Sequence, residues 1–550
     1  MTTAFKISLF IIISFWSVGC SAVKTDPVYI RLNQQGYLPS DLKTAVIMAE
    51  KPVEEKEFSI KELSSGGKVF EGVLPGSLHS YGKFKYCFAV DFTKLNKPGK
   101  YVLEYADQLS VPFEINKNLY NAVVDSLMIF FRVQRCGPTN PYLHEVCHLS
   151  DVARLNGDIK DNMVDVTGGW HDAGDYIKFL LTTAYTTYMM LFAYEFEPEK
   201  FQFDHNNNGA PDILEEARVG IDWLLRCNYK KGKLITQVQD LRDHDVGWRL
   251  PENDTLRYDR IGYTGMGKNQ IGLFAAVMAA ASRIWSSKFF DYDFANKLLA
   301  AAEDLYSIRN NVPDVDSSAS GFYQDTHFYG KLALGAVELY QTKNDIAYLN
   351  DAKRYADSAG ADYWWSWGNI NSLAHFKLAK YERRYSSFIR DNLEAFLNNM
   401  RSSVFNEGLA YSWGTTNSFL GISLQAILYK NLTGSAKYDS LIVLHRDYIL
   451  GRNPWGLSFI YNIGETYPQH FHSQIAYFKN GYLPGAISAG PAPVSILNEY
   501  DIKRENFRYN AFNTDSIKYF DDRQDYITNE PTIVTNATGL FVFGYFSNRK

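Results

Sequence analysis

The sequence predicts a mainly α protein, a toroid of paired helices preceded by a small β-sandwich. Three observations carry this. From Val28 to about Ile115, short runs alternate apolar and polar residues with a period of two. After Asn116, about twelve segments place apolar residues at i, i+3, i+4, i+7. Long loops rich in glycine and aromatic residues, such as 364–370 and 457–493, join many of these segments. Such loops suit a ring of helices with a cleft at one end. A bundle or a repeat solenoid is the alternative, but no fixed sequence period is visible.

The first twenty residues, MTTAFKISLFIIISFWSVGC, read as an export signal: one lysine, an apolar run from Ile7 to Val18, then small residues. The run is too short to span a bilayer. Its end, Val18-Gly19-Cys20, resembles a bacterial lipobox, although Ser17 replaces the usual large aliphatic residue. The expectation for residues 1–20 is a lipoprotein signal peptide, with a plain secretory signal as the alternative. The protein is then exported and lipid-anchored, at a periplasmic or cell-surface face. A net charge of −5 gives no basic footprint for nucleic acid or for an anionic membrane surface. A monomer is expected.

The runs VYIRLNQQGYLPS, KTAVIMAE, KEFSIKEL, CFAVDF and GKYVLEYA are broken by turn residues about every ten positions. They assign 27–115 to the sandwich, which clusters no acids or histidines and reads as scaffolding. The helical segments, from LYNAVVDSLMIFFRVQ to TIVTNATGLFVFGYF, assign 116–550 to one domain. Aromatic residues make up 15% of the chain. Most fill cores, but a surplus of Trp and Tyr also suits a cleft in which pyranose faces stack on rings.

Two acidic stretches stand out. GGWHDAGDYIKF (168–179) sets Asp172 and Asp175 three residues apart among glycines that permit a tight turn. Such a pair can orient a water, and one member can take its proton. YFDDRQDYITNEP (519–531) offers Asp521, Asp522, Asp525 and Glu530 beside Tyr519 and Tyr526. An aromatic setting can raise a carboxyl pKa towards neutrality, as a general acid requires. Each stretch alone is also an ordinary charged turn. As a pair they suit inverting glycoside hydrolysis, which needs one acid, one base and room for a water.

Two metal patterns accompany them. DHNNNGAPDILE fits a calcium loop at every constrained position, with Asp204, Asn206, Asn208, the Ala210 carbonyl, Asp212 and Glu215 as donors. An Asn-rich turn capping the next helix is the alternative. Cys136, Cys147, His148 and His171 suit a closed tetrahedral zinc site. A Cys136–Cys147 disulfide and a histidine packed on Trp170 compete with it. Under the zinc reading Cys87 and Cys227 are free and buried.

GGWHDAGDYIKF and DDRQDYITNE resemble the two signature regions of glycoside hydrolase family 9, and YILGRNPWGLSFIYNIGETYPQHFHS resembles its third. The N-terminal segment is similar to the immunoglobulin-like module of one branch of that family. The resemblance covers nearly all of the chain after its signal. It implies an (α/α)6 barrel and inverting hydrolysis of β-1,4-glucosidic bonds in cellulose or a related glucan. Asp175 is implied as general base, Asp172 as its partner on the water, and Glu530 as general acid. It also supports calcium and zinc. One departure stands in the third region. His472 fills the first place of a His-His-Arg run, while Ser473 and Gln474 stand where the second His and the Arg are expected. Losing that guanidinium fork shifts the expectation from cellulose to a decorated or mixed-linkage glucan, xyloglucan included, or to short oligosaccharides. Trp413, Tyr526, Trp248 and Tyr323 are candidate sugar contacts, with the Trp364-Trp365 pair as further candidates. A glycan-binding lipoprotein of the same fold with little activity is one rival reading, and a zinc-dependent hydrolase is another.

Overall fold

The computed structural model describes residues 27–77, 79–155, 163–256 and 259–549. The expected signal peptide and lipobox lie outside these residues. The N-terminal strands are β1 Val28–Arg31, β2 Thr44–Ala49, β3 Glu57–Glu62, β4 Lys68–Val73, β5 His79–Tyr81, β6 Phe84–Asp91, β7 Gly99–Tyr105, β8 Gln108–Leu109 and β9 Phe113–Ile115. They form two antiparallel sheets, β1-β2-β6-β5 and β4-β3-β7-β8, with β9 paired to β7. Ile47, Ile60, Phe88, Tyr101 and Leu103 fill the space between them. From Ala45 onward β2 is a continuous buried run. The reason is that Val46 and Met48, on its other face, join the helical core. Polar ties reinforce this junction: Asn33 Nδ2 donates to Asp447 Oδ1 at 2.7 Å, and Arg446 meets Asp41 at 2.9 Å.

Each of the twelve periodic segments is a helix. They are α1 Asn121–Gln134, α2 Leu180–Phe196, α3 Asp212–Cys227, α4 Lys268–Ile284, α5 Tyr292–Ser307, α6 Tyr329–Lys343, α7 Ile346–Ala359, α8 Asn371–Ala379, α9 Ser386–Asn399, α10 Thr415–Thr433, α11 Asp439–Ile449 and α12 Ile533–Phe546. The even-numbered helices pack each on the next, and α12 closes onto α2. Each odd-numbered helix lies against an even-numbered neighbour. The residue pattern explains the sorting. IVTNATGLFVFGYF in α12 is buried nearly all round, whereas α3 carries one apolar face and a charged one.

A five-stranded sheet borders this ring: β10 Val152–Leu155, β11 Met163–Asp165, β12 Lys178–Phe179, β13 Leu234–Val238 and β14 Ile261–Gly265, in the order β11-β10-β14-β13-β12. β12 runs straight into α2, so the sheet fixes the loop that precedes that helix. The acidic stretches, Tyr323 and Trp413 all lie just before the N-termini of even-numbered helices. Among the described residues no helix is long and apolar enough to cross a membrane.

Candidate active site

The 168–179 loop lies antiparallel to the end of α1. The Cys136 amide donates to Gly169 O at 2.8 Å and the His171 amide to Gln134 O at 2.7 Å. Gly168 and Gly169 take φ of 92° and 72°, the left-handed backbone this path requires. Trp170 is buried beneath α3, where its indole donates to Glu216 Oε1 at 2.7 Å. The Asp172 amide donates to Ile177 O at 3.0 Å and closes the turn.

Two distant stretches then land on this turn. The Gln474 amide donates to Gly174 O at 3.0 Å, and the Gly174 amide donates to Glu530 Oε1 at 2.9 Å. A Cβ on Gly174 would lie 2.1 Å from His472 O, so only glycine lets the segments touch. The Ile533 amide donates to Asp172 O at 3.0 Å. Packing of α12 on α2 therefore brings together two motifs more than 350 residues apart.

The three carboxylates have different surroundings. Asp172 is 1% exposed and accepts from the Thr182 and Tyr323 hydroxyls. Burial pushes its pKa up to about 7 against the pull of those donors. Asp175 Oδ1 accepts from the Ile177 amide at 3.0 Å, and Oδ2 meets His244 Nε2 at 2.9 Å. The hydrogen bond to Asp175 raises His244 to about 9. Burial, joined by the charge on Asp175, holds Glu530 well above the usual carboxylate range, although the Gly174 amide opposes it.

The candidate sugar contacts form a connected rim. Trp413, 43% exposed, faces Tyr526 at 5.9 Å between centroids, and Tyr526 meets His472 at 5.6 Å. His472 packs edge-on to Trp248 at 5.2 Å. Its Nδ1 donates to Arg523 O at 2.8 Å, which leaves Nε2 of the neutral ring as an acceptor. Tyr323 reaches the site through Asp172. Trp365 is fully buried and belongs to the core, as its packing on Gly421 shows. From the same loop it is Trp367 that meets Tyr323, at 5.1 Å, and Tyr323 also meets Phe179 at 4.8 Å.

Gln474 takes no part in the rim. It is buried, with Oε1 accepting from the Arg249 amide at 3.1 Å, while Ser473 Oγ caps the short helix Gln474–Phe478. The position expected to hold an arginine braces the DAGD turn instead.

Cys136, Cys147, His148 and His171 converge, with one donor atom from each within 4.8 Å of the others. Both cysteines are free thiols, as are the buried Cys87 and Cys227. His148 Nε2 reaches Asp254 at 3.0 Å. The Asp204–Glu215 loop is differently arranged. Asp204 accepts from the Asn208 and Gly209 amides, Glu215 from the Asn206 and Asn208 side chains, and Asp212 from His205. The Ala210 amide donates to Asn208 Oδ1 at 2.9 Å.

His244, Trp367, Tyr477 and Arg523 are absent from the sequence-derived candidates. His244 sits in LRDHDVGW, an unremarkable charged stretch. Only the contact with Asp175 marks it.

The sequence model described as glycosyl hydrolase family 9 matches residues 120–543, and that of a cellulase N-terminal ig-like domain matches 26–110. A xyloglucan-specific endo-beta-1,4-glucanase of Bacteroides ovatus is 27% identical, covering 96% of this chain and 96% of its own. Endoglucanase D of Acetivibrio thermocellus is 26% identical over 88% of this chain and 81% of its own length. The crystal structure of a metagenome-derived family 9 endoglucanase matches with a TM-score of 0.81 at 26% identity, covering 94% of this chain and 99% of that one. The chain belongs to glycosyl hydrolase family 9: it is a glycoside hydrolase with an N-terminal immunoglobulin-like module.

Proposed function

We propose that this hydrolase cleaves β-1,4-glucosidic bonds in a glucan with inversion, from a cleft at one end of an (α/α)6 barrel. The observation that carries the reading is Glu530 on the Gly174 amide at 2.9 Å, which seats the second motif on the turn of the first. Glu530, kept protonated by burial, is the general acid on the leaving oxygen. Asp175 takes the proton of the attacking water, with His244 orienting its carboxylate. Asp172 supports that water and is itself fixed by Thr182 and Tyr323. The glucosyl–oxygen bond breaks as the water oxygen bonds to the anomeric carbon from the opposite face.

The substrate is a β-1,4-glucan with side chains or mixed linkages, or an oligosaccharide from one. Gln474 is withdrawn into the core, and a relative of matching length is named as xyloglucan-specific. Trp413, Tyr526, His472 and Trp248 form the sugar-stacking rim. Residues 27–115 are the scaffold module and 116–550 the catalytic domain. The enzyme is an exported, lipid-anchored monomer, periplasmic or on the cell surface.

Zinc fits the Cys/His cluster. A tetrahedral ion with bonds of about 2.0 Å to nitrogen and about 2.3 Å to sulfur sets N–N edges of about 3.3 Å and S–N edges of about 3.5 Å. His148 Nδ1 and His171 Nε2 are 3.3 Å apart, Cys136 Sγ lies 3.5 Å from His148 Nδ1, and Cys147 Sγ lies 3.8 Å from His171 Nε2. Cys136, Cys147, His148 and His171 would close the shell of such an ion, tying the end of α1 to the DAGD turn and leaving no position for substrate. Calcium would draw on Asp204, Asn206, Asn208, the Ala210 carbonyl, Asp212 and Glu215 once these oxygens exchange the loop's own N–H groups for the ion.

Incubation with xyloglucan, mixed-linkage glucan and carboxymethyl cellulose, with the first-formed anomer read by NMR, tests the reading. The expected product is the α-anomer, lost in both Glu530→Gln and Asp175→Asn. Undiminished hydrolysis by either variant would sink the mechanism.

A further inference from the structure

The loop that delivers Glu530 also carries Arg523, held against the rim by its carbonyl on His472. Its guanidinium lies over the Tyr477 ring, 4.6 Å from the centroid. Among the described residues no carboxylate lies within 4.0 Å of it, and its Nε is buried without a partner. Nearby arginines differ: Arg504 is paired with Asp525 at 2.8 Å, and Arg249 with Asp243 and Asp254. Tyr477 is 43% exposed and meets Trp248 edge-on at 5.4 Å, while Trp248 meets His472. His472, Trp248, Tyr477 and Arg523 therefore form one connected patch beside the DAGD turn.

An arginine stacked on a ring keeps its five donors in a fixed plane, with the ring satisfying only its face. Its free edge suits paired hydroxyls of a pyranose, and the exposed Tyr477 ring and the half-buried Trp248 ring offer apolar surface to the sugar's C–H face. No guanidinium can come from position 474, where a buried glutamine accepts from the Arg249 amide.

We propose that Arg523, steadied by Tyr477, forms a sugar subsite on the His472 side of the cleft and supplies the guanidinium that region three lacks. The ligand is a neutral pyranose of the bound glucan, so the inference rests on the glucan-hydrolase reading. Binding without turnover separates the two. Cellotriose to cellohexaose are titrated calorimetrically into the Glu530→Gln protein, alone and with Arg523→Ala, Arg523→Lys or Tyr477→Ala added. Circular dichroism checks folding of each.

The expected result for Arg523→Ala is a loss of about five- to tenfold in affinity for the longest oligosaccharides. The shortest ligand should bind within about twofold of the parent. Arg523→Lys should recover only part of the loss, and Tyr477→Ala should give a similar chain-length dependence. Equal affinity at every length, or an equal loss at every length, overturns the subsite. A wild-type protein that cleaves glucans while the variants bind all lengths alike keeps the hydrolase and rejects the subsite. Length-dependent losses in the variants together with a wild-type protein that does not cleave do the reverse.

Discussion

Asp172→Asn should reveal how much stability the protein gives up to keep a carboxylate under the cleft. Asp172 is 1% exposed, and burial takes its pKa from 3.8 to about 7. Between those values the folded chain holds one proton more than the unfolded chain. Stability therefore falls as pH rises from about 4 to about 7 and levels off above. The gap corresponds to about 4 kcal/mol, at about 1.4 kcal/mol per pH unit. Asparagine keeps the shape and carries no charge. Loss of the Asp172 charge also relieves Glu530, which acts in the same direction. With an unfolding entropy of about 2 cal/mol/K per residue, a chain of 550 residues converts about 4 kcal/mol into roughly 3 to 4 °C. Calorimetric Tm values at pH 4.5 and pH 8 test this. The variant should gain about 3 °C on the parent between the two, since part of the change already lies below pH 4.5, with activity down about a hundredfold or more. A Tm difference that is the same at both pH values refutes the reasoning.

Gly174→Ala puts a Cβ 2.1 Å from His472 O, so the segments must part by about 1.3 Å to reach ordinary contact. The expected cost is about 1–3 kcal/mol of stability and about a hundredfold in kcat, measured on a soluble glucan beside thermal melts. His244→Gln should lower Tm at pH 6 and leave it near the parent value at pH 10. The raised pKa of His244 means that the pair with Asp175 stabilises below about 6.5 and is lost as pH rises through about 9. A Tm difference that persists at pH 10 would contradict that pairing. Cys147→Ser should remove one zinc per chain by elemental analysis and lower Tm. In the parent, a chelator should inactivate only as fast as the fold loosens, whereas immediate loss of activity on chelation would speak for catalytic metal.

Much of the site was legible because its chemistry sits in short, dense motifs. Asp172 and Asp175 share one turn, and Glu530 sits between Tyr526 and a helix start, so local composition was enough to single them out. The helices were legible from periodicity, and burial all round separated α12 from amphipathic α3. His244 and Arg523 left no such trace, since a lone charged residue in a polar loop has many uses. Trp365 and Trp367 show the same limit within one loop: two tryptophans two residues apart, one in the core and one beside Tyr323.

The sequence by itself determined the N-terminal strands, the twelve helices and the carboxylates proposed for acid–base chemistry, because these depend on residue type and near-neighbour spacing. The five-stranded sheet beside the helices left no such pattern. Tertiary structure alone decided that α12 closes on α2, that Gln474 turns inward, and that Arg523 faces Tyr477 unpaired. Those outcomes depend on contacts between residues tens to hundreds of positions apart. The raised pKa of Asp172 belongs with them, since it follows from the depth at which packing buries the carboxyl.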